Sequence, residues 1–363
     1  MDFELLPDVS AGSMPRVSIG GEGAGEALTE YCALLFDVGP ELALAEVTGF
    51  ERELAEQPET LESRAKLMGF YLALARESGD PEAAKAAFHR HHVWVVRNRP
   101  GSGLAAALTL WIHTSFSESE HREITALWVD CALSRSGDPQ VYGNAARFLW
   151  IRDHADLAVA CLRRAIALDP EDPRWAEELA QHLLEEARAC PSHRRPEHFA
   201  EIHRYLDFAL RRMTHPMRQD ELMLPLLLSA TLAGKAQVAE SFATSILARG
   251  IDEEDEVAST FRVHQAHLAL AQIAAMEGAV ERAASHLAQA SKTLSYHSIP
   301  EFLFEAELSQ RFVAAGHHAI VLTYWQCRAN IYDAGAPERR KIEDWLAVLG
   351  RGGKPTFDVS RAA

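Results

Sequence analysis

Seventeen histidines make metal binding the first chemistry to weigh in this sequence. His89, His91 and His92 crowd one stretch, but at that spacing the three do not share one face of a helix. Cys190, His193, His198 and His203 follow one another closely, yet they lack the paired spacings that gather tetrahedral nitrogen and sulfur ligands round zinc. No H-E-x-x-H is present, and His198 and His203 miss the i, i+4 geometry it needs. Gly20, Gly21, Gly23 and Gly25 fit neither the dinucleotide fingerprint nor the P-loop, and no strand precedes them. No G-x-S-x-G elbow or cysteine–histidine signature appears. The expectation is a chain with no metal, no cofactor and no catalytic centre, its histidines solvated or at helix ends.

Composition narrows the partners. Of the 363 residues, 52 are acidic and 36 basic, a formal charge of −16. Such a field repels nucleic acid and anionic membranes, because phosphate binding needs clustered Lys and Arg. Protein or peptide partners fit better. Cys32, Cys131, Cys161, Cys190 and Cys327 are odd in number and scattered, as expected of small core residues in a reducing compartment. Met1 to Gly25 lacks the basic and apolar regions of a signal peptide. The longest apolar stretch, Leu222 to Ala233, is too short to span a bilayer and carries Pro225. A cytoplasmic location is expected.

The elements that must position any site are helices. Alanine and leucine dominate from about Glu26, apolar residues recur at three and four positions, and alternating β-branched runs are missing. Breakers fall where helices should end, at Gly39-Pro40, Pro58, Gly79-Asp80-Pro81, Pro100-Gly101, Gly137-Asp138-Pro139, Asp169-Pro170 and Gly250. Asp before Pro, as at Asp80-Pro81 and Asp172-Pro173, spells an N-cap followed by Pro at the first helical position. The spacing implies about sixteen helices of ordinary length. Residues 1–25 are expected as a leader, 26–350 as the helical array and 351–363 as a tail.

Within the array, Pro139 to Asp172 resembles the tetratricopeptide repeat. Tyr142 stands at the first large aromatic, Ala145 and Ala146 at the Leu-Gly pair, and Leu149 at the usual Tyr; Ala158, Leu162 and Ala165 form the small–large–small triplet and Pro170 closes the unit. Weaker copies centre on the turn glycines Gly79, Gly234, Gly278 and Gly316, the last with Arg328 where Ala is expected. Ala187 to Pro196 reads as an insert. The resemblance implies an all-α, right-handed α-solenoid of stacked antiparallel helix pairs, whose concave wall commonly binds peptides or proteins.

On that register Asn144, Arg147 and Trp150 fall on the concave side, and neighbouring copies bring Gln181, Gln272 and Gln310 to it. An amide offers donor and acceptor together, and a guanidinium grips a carboxylate with two bonds. The function expected is therefore a non-catalytic scaffold or adaptor. Val93-Trp94-Val95-Val96-Arg97 is similar to the V-W-x-x-R piece of prenyltransferase α subunits, without the Asn-Tyr that precedes it there. That fragment keeps a helical regulatory or targeting subunit as the alternative, beside a small-molecule or peptide sensor.

Overall fold

The computed structural model describes residues 31, 34–77, 81–108, 117–134, 137–189, 196–252, 256–293 and 303–357. The expected leader, Cys32, Asp80, Cys190 and His193 lie outside these residues. After a short 3-10 turn at Gly39–Glu41, the described chain forms α1 (Leu44–Glu56), α2 (Leu61–Glu77), α3 (Pro81–Asn98), α4 (Gly103–Leu108), α5 (Glu118–Ser134) and α6 (Pro139–Ile151). Then follow α7 (Ala155–Leu168), α8 (Pro173–Ala189), α9 (Pro196–Arg212), α10 (Pro216–Leu232), α11 (Ala236–Arg249) and α12 (Glu256–Met276). The last are α13 (Val280–Lys292), α14 (Leu303–Ala314), α15 (His318–Ala329) and α16 (Pro337–Gly350). No strand occurs among the described residues.

The chain divides into two compact units, Met1–Cys161 and Leu162–Ala363. In each, helices pack on their neighbours in sequence, and several also meet the helix after next. In the first unit α5 lies on both α3 and α6, and α4 on α6. In the second, α10 packs on α11 and α12, α12 on α13 and α14, and α13 on α15. Contacts between neighbours and next-but-one neighbours define an α-solenoid.

Burial follows this layering. The first helix of a pair is sandwiched: α6 buries Val141, Tyr142, Gly143, Asn144, Ala145, Ala146, Phe148 and Leu149, most of its circumference. The second helix offers one stripe. In α13 only Ala283, Leu287 and Ala290 are buried, four and three positions apart, and in α11 only Ala239, Ala243 and Ile246. An apolar stripe at that period is what places a helix on the outside of a stack. The small residues let backbones approach, and each buried Leu or Ile contributes about 1.5–3 kcal/mol.

Caps and turns explain the boundaries. Asp138 accepts from the Gln140 amide at 3.0 Å with Pro139 behind it, and Asp172 does the same for Arg174 ahead of α8. Helix α10 runs on through Pro225. Four hairpins share one turn. In it the amide after the left-handed residue reaches back to the last helical layer: His154 to Leu149, Lys235 to Ala230, Ala279 to Ala274, and His317 to Phe312, all within 2.8–2.9 Å. The left-handed residue is Gly234, Gly278 or Gly316 in three of them and Asp153 in the fourth. This is a Schellman closure, and it satisfies carbonyls the helix end would otherwise strand.

The described part of the segment expected as a tail, residues 351–357, packs back on the last helices. Phe357 is 3% exposed and stacks on Trp325 at 5.8 Å while meeting Trp345 edge-on at 5.3 Å. An aromatic at that position covers apolar surface of α15 and α16.

Candidate functional site

The shared turn fixes a common register for the second helices. Counting from the left-handed residue, Ala158, Ala239, Ala283 and Val321 are equivalent, then Leu162, Ala243, Leu287 and Trp325, then Ala165, Ile246, Ala290 and Arg328. All twelve are buried. The small–large–small triplet expected in α7 therefore holds, with Ala158, Leu162 and Ala165 fully enclosed.

The expected groove residues divide. Asn144 is 0% exposed, and its amide nitrogen donates to Pro100 O at 2.8 Å and Ser102 O at 3.2 Å. Its oxygen accepts from Gln140 Nε2. Asn144 is a strut that ties α6 to the loop before α4, not a ligand grip. Gln272 is 2% exposed on α12, a helix enclosed on nearly all sides because α10, α11, α13 and α14 pack round it. It too is lost to any groove. Gln181 and Gln310 are exposed on first helices α8 and α14, and Arg147 and Trp150 are half-buried on α6. Gln181 donates to Glu177 Oε1 at 3.2 Å, and Arg218 holds both oxygens of the same carboxylate.

Polar groups that the pattern of residues did not bring together form two buried networks. In the first unit His91 on α3 lies between Arg64 of α2 and Glu51 of α1, with Arg64 Nη1 to His91 Nδ1 at 2.9 Å and His91 Nε2 to Glu51 Oε1 at 3.3 Å. A guanidinium can only donate, so Nδ1 accepts and Nε2 carries the proton. Tyr71 donates to the same Glu51 oxygen at 2.6 Å and stacks on the His91 ring. Burial lowers His91 below the ordinary histidine value, with Arg64 adding to the effect against the pull of Glu51. Burial likewise brings Arg64 down to about 10, against the opposing charges of Glu51 and Glu59. The Arg64 guanidinium lies 3.6 Å over the Trp94 ring. That contact gives the Val93–Arg97 fragment a packing role.

In the second unit Glu305, 1% exposed, accepts from Tyr324 at 2.7 Å and pairs with Arg328 at 3.7 Å and His264 at 3.5 Å. Burial pushes the Glu305 carboxyl up, but Arg328 and the His264 and Tyr324 contacts outweigh it, and it stays below its ordinary value. Arg328 occupies the place that Ala165 and Ala290 hold in other copies; its charge is tolerated there because Glu305 comes with it. Of the histidines considered as ligands, His198 bonds Leu183 O and His203 bonds Ser229, separate partners. Among the described residues no group of three or more His, Cys, Asp or Glu surrounds a metal position. No described helix is long and apolar enough to cross a membrane.

These features define a class, the α-helical repeat protein. No protein family matches the chain, and no curated protein is similar to it in sequence. One solved structure resembling it is PilW, described as a widely conserved type IV pilus biogenesis factor, at 16% identity and a TM-score of 0.40, over 68% of this chain and 99% of that one. A likeness at that level identifies no activity for this chain.

Proposed function

We propose that this protein is a non-catalytic scaffold of the tetratricopeptide type that holds a protein or peptide partner on the first helices of its pairs. The observation that supports this reading is the recurrent hairpin register. It uses the apolar residues for stacking and leaves polar or amphipathic side chains at least partly exposed on the first helices α6, α8 and α14. Arg147 and Trp150 hold such positions in the first unit, Gln181 and Gln310 in the second. The acidic composition favours neutral or basic partners, and five cysteines odd in number and scattered along the sequence suit a reducing, cytoplasmic setting.

The test starts from a partner recovered with the purified chain, followed by titration of variants. Arg147→Glu is expected to weaken capture by about 2–5 kcal/mol if the guanidinium meets a carboxylate at the interface. Arg340→Glu, exposed on α16, is expected to leave capture unchanged. Equal affinity of wild type and Arg147→Glu, with loss in Arg340→Glu, would reject the assignment.

A further inference from the structure

We propose that His267 and His286 form a divalent transition-metal clasp, of the kind that takes Zn²⁺, between α12 and α13. The two Nδ1 atoms face each other at 3.3 Å, with ring centroids 5.6 Å apart and planes tilted by 33°. Bonds of 2.0–2.1 Å at a tetrahedral centre place neighbouring nitrogens about 3.3–3.4 Å apart. The pair therefore already has the bite of two adjacent zinc ligands. Without a metal, that geometry holds only when one Nδ1 carries a proton and the other does not. A cation takes the place of that proton, which passes through solvent to the Nε2 of the same ring, so that both Nδ1 lone pairs bind the metal and each Nε2 carries one proton.

The surroundings decide how strong such a site is. Both rings are half-buried rather than sealed, so hydrated metal can reach them and water can complete the coordination. Burial, then the neighbouring His286 and His264, lower His267 to about 4, which keeps its ring neutral at pH 7. His286 is lowered by burial and by Arg282, while Glu240 of α11 acts the other way. Arg282 is itself paired with Glu277, which draws its charge toward that carboxylate. Imidazole nitrogen suits Zn²⁺, Ni²⁺ and Cu²⁺ and not Mg²⁺ or Ca²⁺. Two protein ligands give a clasp of modest affinity that staples one hairpin, distinct from a closed structural site. It stands independently of the scaffold reading.

The experiment uses untagged, chelator-treated full-length protein, with thermal unfolding followed as ZnCl₂ is added. Zinc bound to the folded state alone raises the midpoint in proportion to its occupancy. The expected result is a rise reversed by EDTA and not reproduced by MgCl₂ or CaCl₂. His267→Gln and His286→Gln should each weaken the zinc response about tenfold or more, since each removes half the ligands. His215→Gln, an exposed histidine ahead of α10, should keep it. A second readout needs no variant: zinc should protect His267 and His286 from diethyl pyrocarbonate in wild-type protein, read by peptide mass spectrometry. No midpoint shift with wild type, a shift that survives both substitutions, or unchanged labelling of both rings would overturn the clasp.

Discussion

A histidine that folding forces to stay neutral gives a protein an acid-sensitive share of its stability. His92 on α3 is completely enclosed, and burial, with His89 and His121 alongside, lowers it to about 3. Because its folded value lies below the ordinary 6.5, its contribution is complete above about pH 6.5 and is lost progressively as pH falls from there toward 3. His267 adds the same behaviour between about 6.5 and 4. The urea midpoint should therefore drop on going from pH 7 to pH 4, and His92→Phe should flatten that drop. Equal slopes for the variant and wild type would show that His92 is not the titrating group. Asn144 supports a second prediction at this scale. Asn144→Leu keeps the volume but leaves the carbonyls of Pro100 and Ser102 without their donor, at a cost of about 1–3 kcal/mol by chemical denaturation. A solvent-facing groove residue would cost almost nothing, so the measurement separates the two roles.

Helix pairs depend on their closing turns as much as on their stripes. Gly234, Gly278 and Gly316 sit at φ between 72° and 85°, where a side chain meets the backbone unfavourably. A Cβ built at any of the three meets no atom within 4 Å beyond its chain neighbours, so substitution there is opposed by backbone conformation and not by tertiary packing. Gly278→Ala should cost about 1–2 kcal/mol, while Asp153→Gly, at the same turn position with φ 59°, should stabilise by roughly 0.5–1 kcal/mol. Melting curves for this pair check the shared register directly, because opposite signs follow only if both residues hold the left-handed place. In α7, Leu162→Ala should cost about 2–5 kcal/mol through the cavity it leaves, and Ala158→Trp about 1–3 kcal/mol or more by overpacking.

At the scale of the whole stack, the apolar side of each helix pair must be covered by something. Phe357 does this for α15 and α16, lodged against Trp325 and Trp345. Phe357→Ala should remove about 3–5 kcal/mol from that packing. Hydrogen exchange should show the loss as faster exchange in α15 and α16 with α1 to α6 unchanged, because coupling in repeat stacks falls off beyond adjacent elements. Uniform acceleration along the chain would mean that the array unfolds as one unit.

Local and periodic features were legible from residue order alone. Alanine and leucine at three- and four-residue spacing determined helices throughout, Asp138-Pro139 and Asp172-Pro173 marked two helix starts, and the turn glycines marked hairpin ends. These follow from interactions reaching four or five residues, which sequence spacing encodes. Which side of a first helix meets solvent is a different matter, since it depends on how many neighbours close round it. Arg147 and Trp150 keep partial exposure on α6, whereas Asn144 on that helix and Gln272 on α12 do not. The same limit hid the partners of His267, Arg64 and Glu305. His286 lies nineteen residues from His267, Glu51 lies forty from His91, and Arg328 answers Glu305 from another helix. Each of those meetings is set by the rotation and separation of packed helices. Residue order determined the helices and their turns; only their packing decided which polar groups were enclosed and with whom.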